Sequence, residues 1–224
     1  MGSPAAVDIR AHVLAHGQLL KDAVDTLKHA PEHWHTTLLI ELAGENLFNC
    51  LELIQGVDSD NVARCSWAAR SLLELHYFTR FVMGSPENAK RFHEDMVCDY
   101  QDLLRRLGKN PQYTQIVASG QAVMDHVWSR HITQASKTDK YLSAREIAED
   151  LGEGTPFGDV HKFMSKFVHP TSLSIQFRKA PELHGLVLRS IVETAARLIA
   201  HAFPLLAKHI KDHSTNLCPN SSKG

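Results

Sequence analysis

The chain has 224 residues, 43% hydrophobic and 22% charged, enough apolar side chains for a sizeable core and unlike the composition of a disordered protein. A formal net charge of -1 excludes the broad Lys and Arg excess behind nonspecific nucleic-acid binding, so any RNA contact has to be a local basic patch. Four widely spaced cysteines, Cys50, Cys65, Cys98 and Cys218, form no CxxC pair, which removes zinc-ribbon and dithiol redox chemistry and fits free thiols in a reducing compartment.

The N-terminal stretch is interrupted by Asp8, Arg10 and His12, and no uncharged run reaches the ~18 residues a membrane span needs. A cytoplasmic protein with no membrane partner is expected. Val7 to Lys28 carries Ile9, Val13, Leu19, Leu20, Val24 and Leu27 near helical intervals and ends at Ala30-Pro31, which predicts a first helix. A second runs from about His33 to Gln55 with Trp34, Leu38, Leu42, Leu47, Leu51 and Ile54 on its apolar face, and Gly56 is suited to ending it.

Ser59 or Asp60 is the expected N-cap of a third helix, which reaches Met83 before Gly84-Ser85-Pro86 stops it and opens the fourth. That fourth helix ends at Gly108, and Asn110-Pro111 starts a fifth that extends to about Ile132. Ser143-x-x-Glu146 is a capping box for a short helix ending near Gly152, and another short helix is expected from Phe157 to Val168. Ser172 to Phe177 has no strand partner in the sequence and is expected to be an extended loop. A long amphipathic helix then spans His184 to about His213, with Leu186, Leu188, Ile191, Ala195, Leu198 and Ile199 facing inward and Pro204 as a point of kinking. The prediction is an all-α, single-domain multi-helix bundle over residues 1–213, followed by a flexible tail at 214–224.

Chemistry concentrates in the third helix. Arg70 and Glu74 are four residues apart and share a face with Ala63, Trp67, Tyr77 or Phe78, and Phe81. The opposite side, with Val62, Cys65, Ala69, Leu72, Leu73 and His76, is equally apolar, so this helix is expected at the bundle centre with Arg70 and Glu74 buried. Burial of two charges is costly unless they pair well, so the pair is either a structural salt bridge between helices or a functional site. A second candidate is the stretch from Ser165 to Ser172. Pro170 disfavours helical geometry at His169 and places that imidazole at a helix C-terminus, with Lys166, Thr171 and Ser172 around it as ligand-binding candidates. Thr171 and Ser172 can equally serve only to cap a turn.

Metal chemistry is not expected. His12 and His16 share a helical face, but Glu32-His33-Trp34-His35 is a lone Glu-x-x-His, whereas a di-iron bundle needs two. No Gly-rich phosphate loop, nucleophile elbow or HExxH is present, and no cofactor is predicted.

Arg70-Ser71-Leu72-Leu73-Glu74, followed by His169-Pro170-Thr171-Ser172, resembles a family of uncharacterised bacterial helical proteins with an Arg-Ser-Leu-x-Glu helix and a later His-Pro-Ser-like turn. In outline that family is similar to the HEPN (higher eukaryotes and prokaryotes nucleotide-binding) superfamily, helical bundles that are often dimeric and include metal-independent RNases of toxin and phage-defence systems. The resemblance implies RNA or a nucleotide as partner, a homodimer, and an Arg-x5-His pair, Arg70 with His76, acting on a phosphodiester. An alternative shared site joins Arg70 and Glu74 to His169, the carboxylate orienting the imidazole and the guanidinium holding an anion. Three functional expectations stand side by side: an RNase or nucleotide-binding module using Arg70, Glu74, His76 or His169; a noncatalytic interaction protein in which the cluster is a closed structural network; and a binder of a small anionic molecule in a dry cavity beside Arg70.

Overall fold

The computed structural model describes residues 8–27, 34–123, 142–169 and 180–217. Among them are eight α-helices, one 3-10 turn and no strand, so the expected all-α architecture is observed. In chain order the helices are α1 (Ile9–Asp25), α2 (Trp34–Asp58), α3 (Val62–Gly84), α4 (Pro86–Leu107), α5 (Thr114–Val123), α6 (Ala144–Asp150), α7 (Gly154–Val168) and α8 (Pro181–Leu217).

Local signals set most boundaries. The Asp8 carboxylate accepts from the amides of Arg10 and Ala11, satisfying two of the donors that a helix start leaves open. Ser85 accepts from the Asn88 amide with Pro86 in the first turn of α4, and Ser143 accepts from the Glu146 amide as the capping box requires. At α3 the cap is Asn61 instead of Ser59 or Asp60. The Asn61 side chain accepts from the Arg64 amide, whereas the Ser59 hydroxyl donates backward to the Gln55 carbonyl at 2.6 Å and finishes α2. Asn110-Pro111 opens a 3-10 turn that leads into α5, and the expected extension to Ile132 lies outside the described residues past Val123, as does the Ser172 to Phe177 segment.

Gly56 does not end α2. The helix continues to Asp58, and a Cβ at Gly56 would sit 2.6 Å from Cys65 Sγ and 3.0 Å from Cys65 N, so the glycine allows a close approach of α2 and α3. At the other end of the chain α8 passes through Pro204 and runs to Leu217, beyond the expected tail boundary. Proline removes the donor that would serve the Ala200 carbonyl, and Ala200 is on the exposed side of the helix.

α3 is the hub, packing against α2, α4, α6, α7 and α8, while α1 lies mainly on α8. One core runs through α1, α2, α3, α7 and α8 with Leu20, Leu38, Leu53, Leu72, Met164, Ile199 and Phe203 at its centre, and a smaller one joins α3, α6 and α7 around Tyr77, Ile147 and Phe157. α8 contributes Ile191, Ala195, Ile199, Phe203, Leu206 and Ile210, the inward stripe of a 3.6-residue period; Leu186, expected inside, is exposed near the N-terminal end. By length and composition α8 could cross a membrane, and half of its most apolar stretch is buried in the bundle.

Val62, Cys65, Ala69, Leu72, Leu73 and His76 on α3 are all buried, as the sequence predicts. The other face is not. Trp67 is 41% exposed against Phe48, and the Arg70 and Glu74 side chains are 30% and 33% exposed. α6 and α7 flank that face without closing over it, so the pair lines an opening instead of being sealed.

Candidate functional site

The opening is a cleft of about 690 Å³ whose walls are α3, α6 and α7. α3 supplies Arg70, Glu74 and Phe78 at four-residue intervals, one line along the helix. α7 supplies Gly158, His161, Lys162 and Ser165, and the start of α6 supplies Ser143 and Arg145. Glu74 Oε1 is the meeting point: it accepts from Arg70 Nε at 3.1 Å and lies 3.1 Å from His161 Nε2. His161 stacks on Phe157 with ring centroids 5.3 Å apart, and its carbonyl accepts from the Ser165 hydroxyl at 2.7 Å. Two contacts therefore fix the ring. With Nε2 donating to Glu74, Nδ1 is the nitrogen left to take or give a proton at the cleft.

The imidazole at Glu74 is thus His161 and not His169. His169 is the C-cap of α7 with extended backbone, φ -104 and ψ 152, as the following proline dictates, and it is exposed. Eight residues of helix separate the two histidines by about 12 Å, and His169 is not among the residues that line the cleft. Lys166 is exposed on α7 and does not line the cleft; Lys162, one turn earlier, does. Thr171 and Ser172 lie outside the described residues.

His76 belongs to a different place. It is 6% exposed, with its ring 5.1 Å from those of both Tyr77 and His201. Burial, helped by the charges of His201 and Arg80, pushes its pKa down to about 4, with Glu153 acting in the opposite sense, so the ring is neutral near pH 7. It lines a second cleft of about 350 Å³ between α3, α7 and α8. There Glu153 Oε2 accepts from Arg80 Nη1 at 2.7 Å and from the Tyr77 hydroxyl at 3.0 Å. The Arg80 bond is the main cause of the lowered Glu153 pKa, while burial followed by the Glu153 contact raises Tyr77 to about 12. Phe157 forms part of both clefts and separates them, so Arg70 and His76 do not open onto one cavity.

No family model, curated protein or solved structure matches this chain.

Among the described residues no three His, Cys, Asp or Glu side chains converge as metal ligands. His12 and His16 are in edge contact at 4.6 Å, and His12 Nε2 lies 2.8 Å from the Ala196 carbonyl, a tie between α1 and α8. Glu32, the acid of the lone Glu-x-x-His, lies outside the described residues.

Sequence reasoning missed His161, Lys162, Arg145, the Arg80–Glu153 pair with the Tyr77 hydroxyl, and Thr194, Arg197 and His201 of α8. A signal for the first was present: Phe157, His161 and Ser165 are spaced by four, one line beside the buried stripe of Phe157, Met164 and Phe167.

Proposed function

We propose that the cleft between α3, α6 and α7 binds a phosphate-bearing ligand of the nucleotide or RNA class. The observation that carries the reading is the state of Arg70. It gives only Nε to Glu74, and its two terminal amino groups have no partner among the described residues, although the side chain is held in place at the cleft wall. A guanidinium positioned by one nitrogen and open at the other two is the fork that phosphate oxygens fit. Lys162, also without an ion-pair partner among the described residues, adds a second cation, and Arg145 stands at the rim bonded to Glu149 at 2.9 Å. Against these the cleft lining holds one carboxylate, Glu74. A volume of about 690 Å³ is that of a small-molecule site and suits a mononucleotide.

The same geometry gives RNA cleavage a specific form. His161, oriented by Glu74, would take the proton of the ribose 2′-hydroxyl as that oxygen attacks the adjacent phosphorus held by Arg70; the bond to the 5′-oxygen breaks, the imidazolium returns the proton to it, and a 2′,3′-cyclic phosphate and a 5′-hydroxyl result.

Isothermal titration with adenosine 5′-monophosphate tests the binding. We expect saturable binding that weakens about tenfold or more in Arg70→Ala and in Lys162→Ala, with no change in Arg105→Ala, an exposed pair with Asp102 on α4. Incubation of oligoadenylate in EDTA tests the cleavage, which should be lost in His161→Ala. If adenosine monophosphate, inorganic phosphate and oligoadenylate all fail to bind, the reading is wrong, and Arg70, Glu74 and His161 are a structural tie between α3 and α7.

A further inference from the structure

The second cleft has a different character. Its floor and walls are chiefly apolar, with Leu73, Val160 and Leu198 among them, and its volume of about 350 Å³ is half that of the first. Its charges nearly cancel. Arg80 is matched by Glu153 at 2.7 Å, which leaves Arg197, exposed on α8 and without an ion-pair partner among the described residues, as the single unmatched cation. Deeper in, His76 is more than nine-tenths buried, and its Nδ1 is sealed from solvent with no hydrogen-bond partner.

Such a nitrogen is less costly as a bare lone pair than as an unsatisfied N–H, so the ring proton belongs on Nε2, the nitrogen that can reach the cleft. His76 is thereby a neutral donor at the inner end of an apolar slot whose mouth carries one positive charge.

We propose that this cleft is a second binding site, separate from the phosphate site, for a small amphipathic monocarboxylate with an aromatic or branched apolar body. The carboxylate pairs with Arg197 at the mouth, and the body lies against Leu73, Val160 and Leu198. A polar substituent at the far end, a carbonyl or hydroxyl, accepts from His76. The single unmatched charge sets the ligand charge at one: a phosphate dianion would bring an uncompensated charge into an apolar slot, which is unfavourable. The size of the cleft limits the ligand to roughly one ring with a short acid chain.

The probe is 3-(4-hydroxyphenyl)propionate, followed through the imidazole carbon–proton signals of the full-length protein labelled at histidine. Saturable shifts of the His76 and His201 signals are expected, with affinity reduced about tenfold or more in Arg197→Gln and undiminished in Arg70→Ala. Arg197 is exposed, so its replacement leaves the fold intact. The corresponding amide should bind more weakly for lack of charge, and acetate should not compete for lack of the apolar body. Three results would overturn the proposal: no saturable shift of either histidine, binding indifferent to Arg197→Gln, or acetate competing as well as the probe.

Discussion

Replacing His76 by glutamine should flatten the acid limb of the protein's stability curve. In the folded protein burial holds the imidazole pKa at about 4, with the charges of His201 and Arg80 acting in the same direction, against 6.5 for a solvated ring. The unfolded chain therefore takes up this proton first as pH falls below 6.5, and acidification favours unfolding until the folded state also binds it, near pH 4. The full difference is about 3 kcal/mol, of which about 2 kcal/mol is lost between pH 7.5 and pH 5. His16 and His209 are also depressed by burial and shift stability in the same sense, but they are common to both proteins and cancel in the comparison.

Urea unfolding followed by circular dichroism at pH 7.5, 6.5, 5.5 and 5 reads this directly. His76→Gln has its own offset at neutral pH, and only the change in the difference matters. Wild type should lose about 2 kcal/mol more than the variant over that interval. Parallel curves, with the difference constant to about 0.5 kcal/mol, would mean that His76 is protonated at little cost in the folded state, and the neutral-donor role assigned to it would fall.

Three further substitutions or measurements probe the frame. Gly56→Ala places a methyl 2.6 Å from Cys65 Sγ and 3.0 Å from its amide nitrogen, and should lower stability by about 1–3 kcal/mol, read as a reduced urea midpoint; an unchanged midpoint would show that α2 and α3 separate freely there. Phe203→Ala empties the fully buried site where α8 meets the core and should cost about 3–5 kcal/mol in the same assay. Cys50 and Cys65 are buried, and burial raises both thiols to about 12, so neither should react with Ellman's reagent at pH 8 until denaturant is added. Rapid labelling of either in the native protein would contradict the core described for α2 and α3.

Periodic apolar spacing revealed the helices because their faces are set by packing that the whole bundle shares. Ile9, Val13, Leu20 and Ala23 follow one stripe of α1, and the inward line of α8 is equally regular. The end of α2 was less legible, since a glycine serves both to end helices and to let two backbones approach, and only the neighbouring Cys65 decides between these uses at Gly56. The start of α3 was expected at Ser59 or Asp60, and the cap is Asn61, the next residue along. Which of Ser59, Asp60 and Asn61 caps depends on where each side chain points, and the Ser59 hydroxyl is already committed to the Gln55 carbonyl.

The site divides along the same line. Arg70 and Glu74 lie about 40° apart around an α-helix, so their contact is local and can be read from a spacing of four. Arg70 and His76 lie about 120° apart on the same helix, which sends them to opposite flanks of α7 whatever packs around them. The Arg-x5-His spacing that fits the nuclease motif is for that reason a poor guide to a shared site within a straight helix. His161 meets Glu74 only because α7 crosses α3 at Phe157, a contact between distant segments that no single-helix pattern encodes. The His169-Pro170 turn drew attention through its local chemistry, while the histidine that reaches the carboxylate stands two turns earlier with no punctuation to mark it. If nucleotide binding is abolished by Arg70→Ala and RNA cleavage by His161→Ala, while His169→Ala leaves both intact, the functional histidine will have been chosen by helix crossing and not by motif.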